Sequence, residues 1–250
     1  MSVSLAISSF YITYVFLLTT TAITLIEALR SPIPQIRHIM NLETCISIVA
    51  SYFYGLFIEE INKAQNLYNV KDDSKDNNNN IIDNIANTDS AIIKPLSVIP
   101  IKKINNMRYI DWSITTPFML LVLSMVLGYE NKVIVKFTPF VLTMVLNFAM
   151  LAFGYSGEIG LLNKNIAGFM GFIFFFLTYG TIWKLFMTGS KITIQSKFIF
   201  WIFLGTWSLY GVFYYTNEAT KLIGYNILDL IAKAFVGIFF WLYLTKSVVF

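Results

Sequence analysis

Charge is scarce in this chain of 250 residues. Asp, Glu, Lys and Arg together supply 13% of it, where a soluble domain carries about 25%. That shortage argues against an ordinary water-soluble domain. The single cysteine, Cys45, excludes an internal disulfide and any cysteine-based metal cluster. The single histidine, His38, excludes a multi-histidine metal site, and no metal is expected. The net charge of +4 is too small to mark a nucleic-acid binder and reads better as anchoring at lipid headgroups. Hydrophobic residues fill the space that charge leaves, at 56% of the chain and with a mean hydropathy of +0.66. The 23 Phe and 14 Tyr suit helices that face lipid or pack around an apolar ligand. The composition therefore predicts an integral membrane protein, one domain over residues 1–250. The opening residues lack the basic start of a secretory signal and run straight into an apolar stretch, so a cleaved leader is not expected.

A membrane helix needs about 20 mainly apolar residues. Seven segments qualify, near 3–29, 40–61, 107–128, 133–155, 166–187, 197–216 and 222–249. The predicted fold is an all-α bundle of seven transmembrane helices. Pro32 and Pro34, Gly128, Gly154-Tyr155-Ser156-Gly157 and Gly189-Ser190 punctuate the turns. Arg30, Arg37, Lys132, Lys136, Lys184, Lys191, Lys197 and Lys246 all fall on one side, which the positive-inside rule assigns to the cytoplasm. The N-terminus is then extracellular, as is the long loop 62–106 between the second and third spans. That loop holds its own lysines, offset by Asp72, Asp73, Asp76, Asp83 and Asp89. Its Lys-Asp-Asp-Ser-Lys-Asp-Asn-Asn-Asn-Asn core is of low complexity, and partial disorder is expected there.

An ionisable residue inside a span is costly and calls for a functional explanation. Arg108 and Asp111 lie in span three, Asp229 and Lys233 in span seven. Within each pair the spacing puts both residues on one helix face. With both faces inward, a lysine sits near two carboxylates and an arginine. Spacing alone leaves two explanations open, a structural ion-pair network or a functional site.

The flanking residues separate them. Span three reads Arg108-Tyr109-Ile110-Asp111-Trp112-Ser113-Ile114-Thr115-Thr116-Pro117, and span seven Leu228-Asp229-Leu230-Ile231-Ala232-Lys233. Both resemble the signature segments of microbial rhodopsins, in the right order and the right helices. Trp207-Ser208-Leu209-Tyr210 in span six is similar to the ring-lining residues of that family. Phe153-Gly154-Tyr155-Ser156-Gly157-Glu158 looks like the fourth-helix exit of its proteorhodopsin-type members. The resemblance covers all seven spans.

It implies all-trans-retinal as cofactor, bound covalently as a Schiff base to Lys233. Trp112, Thr116, Met119, Trp207, Tyr210 and Tyr214 would line its slot. A buried cation is costly without paired anions, so Asp111 is expected as counterion and proton acceptor and Asp229 as second counterion. Arg108, one turn outward, is expected to hold Asp111 ionised, and Thr115, one turn inward, to hydrogen-bond it. The retinal would do the photochemistry while the protein supplies orientation and electrostatics. No substrate would be turned over, so the chain is not expected to be an enzyme.

Departures from the family's proton pumps qualify the resemblance. The acid that reloads the Schiff base sits eleven residues after the acceptor in those pumps; here that position is Val122. Lys221 falls where one member of the releasing acid pair is expected, with Glu218 nearby. Gly211 replaces the proline that follows the span-six tyrosine, so bending is permitted there but not imposed. Meanwhile span two carries Glu43, and Ser9, Asn147 and Asn226 offer polar groups in spans one, four and seven. Glu43, Asn226 and Ser9 resemble the polar path of light-gated cation channels of the giant-virus rhodopsin group, which the Asn-rich loop also suits. Glu43 could equally snorkel to the interface or stand in for the missing proton donor. A light-gated cation channel is the leading expectation, an outward proton pump the alternative and a sensory rhodopsin the third. The expected partners are retinal, the lipid bilayer and transported cations or protons, with a homo-oligomer open and the host cell membrane as location. Cys45 is expected as a small apolar filler, His38 as solvated, and Trp183, Trp201 and Trp241 as interface or lipid-facing residues. Gly168 and Gly171 are expected to allow close helix approach or to leave room for the ring end of retinal.

Overall fold

The structure, a computed structural model, describes residues 3–76, 99–189 and 192–246. It is all helical among those residues: α1 Val3–Arg30, α2 Pro34–Asp76, α3 Ile101–Asn131, α4 Phe137–Glu158, α5 Lys164–Phe186, α6 Ile194–Tyr214 and α7 Glu218–Asp229, which continues through a π-helical turn, Leu230–Phe235, into α8, Val236–Leu244. The last three segments form one span, Glu218–Leu244, and seven spans are long and apolar enough to cross a bilayer. The protein is an integral, multi-pass membrane protein.

The helix boundaries follow local rules. Pro34 opens α2, where its missing N–H costs nothing. The side chains of Asn163, Thr193 and Asn217 accept from the backbone N–H of Asn165, Ser196 and Thr220, capping α5, α6 and α7. Lys132 ends α3 in the left-handed region, with φ 57°, and the Val133 N–H returns to the Gly128 carbonyl at 2.9 Å. A Cβ at Gly128 would collide with the Val133 carbonyl oxygen, so this turn requires glycine.

Successive helices pack side by side, and α1 closes the bundle against the seventh span. We call the end where α1 begins the near end and the other the far end. Large apolar side chains such as Val15, Ile26, Phe137, Phe169 and Trp201 point outward, as lipid-facing surfaces do. Two apolar clusters fill the interior. One, around Leu120, Leu123, Phe200 and Phe240, occupies the far half. The other, around Phe10, Phe57, Ile104 and Ile223, occupies the near end. The buried charges lie between them.

Several expectations change. The predicted 62–106 loop begins as helix, since α2 runs to Asp76, and it ends as helix, since α3 begins at Ile101. Hydropathy marks where a helix leaves the membrane; its backbone hydrogen bonds continue beyond. Ion pairs hold this extension, with Lys63 2.6 Å from Glu59 and Lys103 of α3 2.6 Å from Glu60 of α2. The Asn-rich centre of the loop, 77–98, and Lys191 lie outside the described residues. Cys45 is exposed on the outer face of α2 and fills no interior space, because the inward stripe of that helix runs through Glu43, Ser47, Ala50 and Tyr54. Trp241 turns inward to donate from Nε1 to Glu27 Oε2 at 3.3 Å. Trp183 and Trp201 are exposed, as expected of lipid-facing residues, and His38 is exposed too.

Candidate functional site

Arg108, Asp111, Thr115, Met119 and Val122 recur every three or four residues along α3, so they share its buried face. Across from them the π-helical turn carries Lys233. A π turn hydrogen-bonds i to i+5 and often marks a functional position. The Lys233 amine is buried, 2.6 Å from Asp111 Oδ2 and 3.5 Å from Asp229 Oδ1.

The two carboxylates differ in how they are held. Asp229 accepts from Tyr54 OH at 3.0 Å, Tyr210 OH at 2.8 Å, Trp112 Nε1 at 3.3 Å and Arg108 NH1 at 3.0 Å. Asp111 has Lys233 on one oxygen, while its buried Oδ1 has no partner among the described residues. Asp229 is saturated and Asp111 has an open acceptor, which fits them to different tasks.

The structure adds detail to two of the expected neighbours of Asp111. Arg108 makes its ion pair with Asp229, 3.0 Å away, rather than with Asp111. Asp111 is already engaged by Lys233, and Asn226 Oδ1 draws the other end of the guanidinium to 2.7 Å. Thr115 Oγ1 donates to the backbone carbonyl of Asp111 at 2.9 Å and not to its carboxylate. A threonine inside a helix satisfies itself this way, on the carbonyl four residues earlier.

From Lys233 an apolar slot of about 790 Å³, including its open part, extends between α3, α4, α5 and α6. Trp112, Thr116, Met119, Trp207, Tyr210 and Tyr214, the six expected lining residues, all border it. So do Gly168 and Gly171, consistent with leaving room at the far wall. The sequence reading missed Met150, Phe172, Phe175 and Tyr225 as lining residues. Phe172 and Phe175 sit in a run of phenylalanines with no periodic cue. The slot presents one primary amine, Lys233 Nζ, among largely aromatic walls, which suits an apolar ligand carrying a carbonyl group.

The expected ion-path residues do not form one cluster. Asn226 and Ser9 lie toward the near end, with Asn226 Nδ2 donating to Ser9 Oγ at 2.8 Å. Glu43 lies on the other side of Lys233. A Cβ built on Gly237, one turn beyond Lys233, would stand 3.2 Å from Glu43 Oε2 and would also touch Thr20 and Thr24 of α1. Glu43 is 2% exposed, so it does not snorkel to the interface. Among the described residues its carboxyl group has no ion pair or hydrogen bond. Ser47, one turn along α2, is also buried with its hydroxyl unpartnered. Asn147 belongs to the slot instead, where its Nδ2 donates to Thr116 Oγ1 at 2.8 Å.

At the near end Lys221 is buried between Glu158, 2.9 Å from Nζ, and Glu218, 2.8 Å away. Glu158 was quoted in the fourth-span motif, but nothing in its sequence position pointed to Lys221. Tyr54 was missed as well; it sits in span two without a charged neighbour in sequence.

Residues 4–247 match the profile of the family described as bacteriorhodopsin-like protein. A green-light absorbing proteorhodopsin from a gamma-proteobacterium is 26% identical over 148 residues, covering 54% of this chain and 59% of that protein. The matched region thus spans somewhat over half the length of that curated relative. The crystal structure of viral rhodopsin OLPVRII superposes with a TM-score of 0.77 at 37% identity, covering 98% of this chain and 100% of that one. The blue light-absorbing proteorhodopsin from Med12 superposes with a TM-score of 0.67 at 21% identity, covering 97% and 98%, a likeness of fold.

Proposed function

Because the chain belongs to the bacteriorhodopsin-like family of microbial rhodopsins, we propose that it is a membrane photoreceptor that binds retinal through Lys233 and uses light to move protons across the membrane. One observation carries this reading: two buried carboxyl groups lie on opposite sides of a single buried amine. Asp111 is 2.6 Å from Lys233 Nζ. Glu43 stands beside Gly237, about 6 Å farther along the seventh span.

All-trans-retinal bound at Lys233 would supply light absorption and a change of shape that re-aims the Nζ–H bond. The remaining work falls to the chain. Lys233 holds a proton at Nζ against Asp111. Asp111 takes that proton, having both a short contact and an unpartnered oxygen. Asp229 remains an anion under its four donors and balances the charge of Arg108. Thr115 ties the α3 backbone at Asp111, and Trp112 and Tyr210 bridge the slot to Asp229. Glu43 returns a proton to Nζ from the far side, a task that Val122 cannot perform. Ser47 and Thr44, on the same helix, offer hydroxyls along that route.

Asp111 then releases its proton toward the near end and Glu43 takes a new one from the far end, so with the N-terminus outside transport runs outward. The host cell membrane is the proposed location. Illuminated cells should acidify their medium, and a protonophore should abolish the effect. A photocurrent carried by metal cations, with a reversal potential that follows their gradient, would replace this reading with the cation channel. That second reading draws on the buried polar groups at both ends of Lys233, Ser9 and Asn226 on one side and Glu43 on the other.

A further inference from the structure

Arg108 is fully buried, and four aromatic rings surround its guanidinium. The carbon at its centre lies 5.2 Å from the centroid of Phe57, 5.6 Å from Tyr225, 5.8 Å from Tyr54 and 5.9 Å from Phe10. Rings at this range attract a cation through their quadrupoles, more strongly where water is excluded. The rings come from α1, α2 and the seventh span, so the cage joins three elements around a side chain of α3. Phe10, Tyr54 and Phe57 also pack on one another, with centroids 5.2–6.0 Å apart. One turn nearer the near end, Ile104 on α3, Ile61 on α2 and Leu222 on the seventh span are buried in the same apolar cluster. Three polar anchors, Asp229, Asn226 and the Tyr54 hydroxyl, accept from the two terminal nitrogens of the guanidinium.

We propose that this cage is a selectivity seal. It pins the Arg108–Asp229 pair across the near half of the bundle and excludes water and metal cations from the passage between Lys233 and the near end. The inference rests on the proposed light-driven proton transfer and names what makes that transfer proton-specific. A proton needs only hydrogen-bonding groups in sequence. A metal cation must bring its hydration shell or lose it, and here it meets rings packed around an arginine whose charge Asp229 already balances. The rings also stop Arg108 from swinging aside, because any movement would give up the cage, the Asp229 pair and the Asn226 contact together. Phe10 and Phe57 touch neither Asp111 nor Lys233 in the described contacts, so they act as positioning residues.

The test is voltage clamp of illuminated membranes at fixed pH, with sodium exchanged for a bulky organic cation. The parent protein should give a photocurrent whose reversal potential ignores the exchange. The double variant Phe10→Ala/Phe57→Ala should keep its visible absorption band, yet its reversal potential should move toward the sodium equilibrium potential. A merely structural role would lower the amount of pigment without creating sodium dependence. If the double variant yields no pigment, Phe57→Leu, which keeps apolar bulk but loses the ring, should show a smaller shift of the same sign. Pigmented variants that remain blind to sodium overturn the seal alone, whereas a parent already sensitive to it overturns the proposed proton transport and the seal together. A colourless parent overturns the proposed function, and the seal with it, before any current is measured.

Discussion

Replacing Glu43 by Gln removes the buried carboxyl group beside Gly237, one turn beyond Lys233, while keeping the side chain's size. Glu43 is 2% exposed and has no ion pair among the described residues. Glu43→Gln therefore breaks no salt bridge and opens no cavity, and pigment should form with its absorption little changed. Its kinetics should change greatly. A positioned proton donor contributes roughly 10²–10⁴-fold to the rate of a proton transfer. Val122, buried at 1%, leaves no alternative donor at its own position on α3. Return of the proton to Lys233 Nζ should slow by about 100-fold or more, a barrier increase of ~2.7 kcal/mol. Flash photolysis of the purified pigment reads this directly, as a prolonged lifetime of the blue-shifted state in which Nζ has lost its proton. A small permeant weak acid in the buffer should restore the rate, which a packing defect would not allow. A rate of proton return close to that of the parent would refute the assignment, because losing a positioned donor costs roughly 100-fold or more.

Other perturbations probe the rest of the site. Lys233→Ala should abolish the visible absorption band on addition of all-trans-retinal; a stable, red-shifted pigment from that variant would move the attachment elsewhere. Asp111→Asn removes the anion 2.6 Å from Lys233 Nζ, so the pigment should shift to the red and no longer lose its Nζ proton, as spectroscopy and flash photolysis would show. Lys221→Met leaves Glu158 and Glu218 facing each other without the buried ammonium between them. The ends of α4 and α7 should then loosen by about 3 kcal/mol, the low end for a broken buried pair because Glu218 is half exposed, seen as faster thermal bleaching. An unchanged bleaching rate would mean that the pair contributes nothing to holding those helices.

The chemistry-bearing residues were the legible part of the site. Lys233, Asp111 and Asp229 announce themselves because charge is rare in these spans and their spacing repeats the helical period. Four of the six slot residues, Trp112, Thr116, Trp207 and Tyr210, lie in the motifs, and all six border the same cavity. The partners of those residues were not legible. Arg108 and Asp111 are one turn apart on one helix, yet the arginine pairs with Asp229, 121 positions away. Tyr54 has no distinguishing neighbour in sequence, although it donates to that same carboxylate. Glu43 and Cys45 differ by two positions; one faces the interior and the other the lipid. In a helix apolar on every side, hydropathy alone does not say which residues turn inward.

The amino-acid order alone determined seven membrane helices and an amine with two acids in their midst, because hydropathy and helical spacing act within a single segment. The tertiary structure decided which acid holds the arginine, which oxygen stays open and which rings close around the guanidinium. Those contacts depend on how each helix is rotated and tilted against its neighbours. Packing between residues far apart in the chain sets that rotation, so no local stretch of sequence records it.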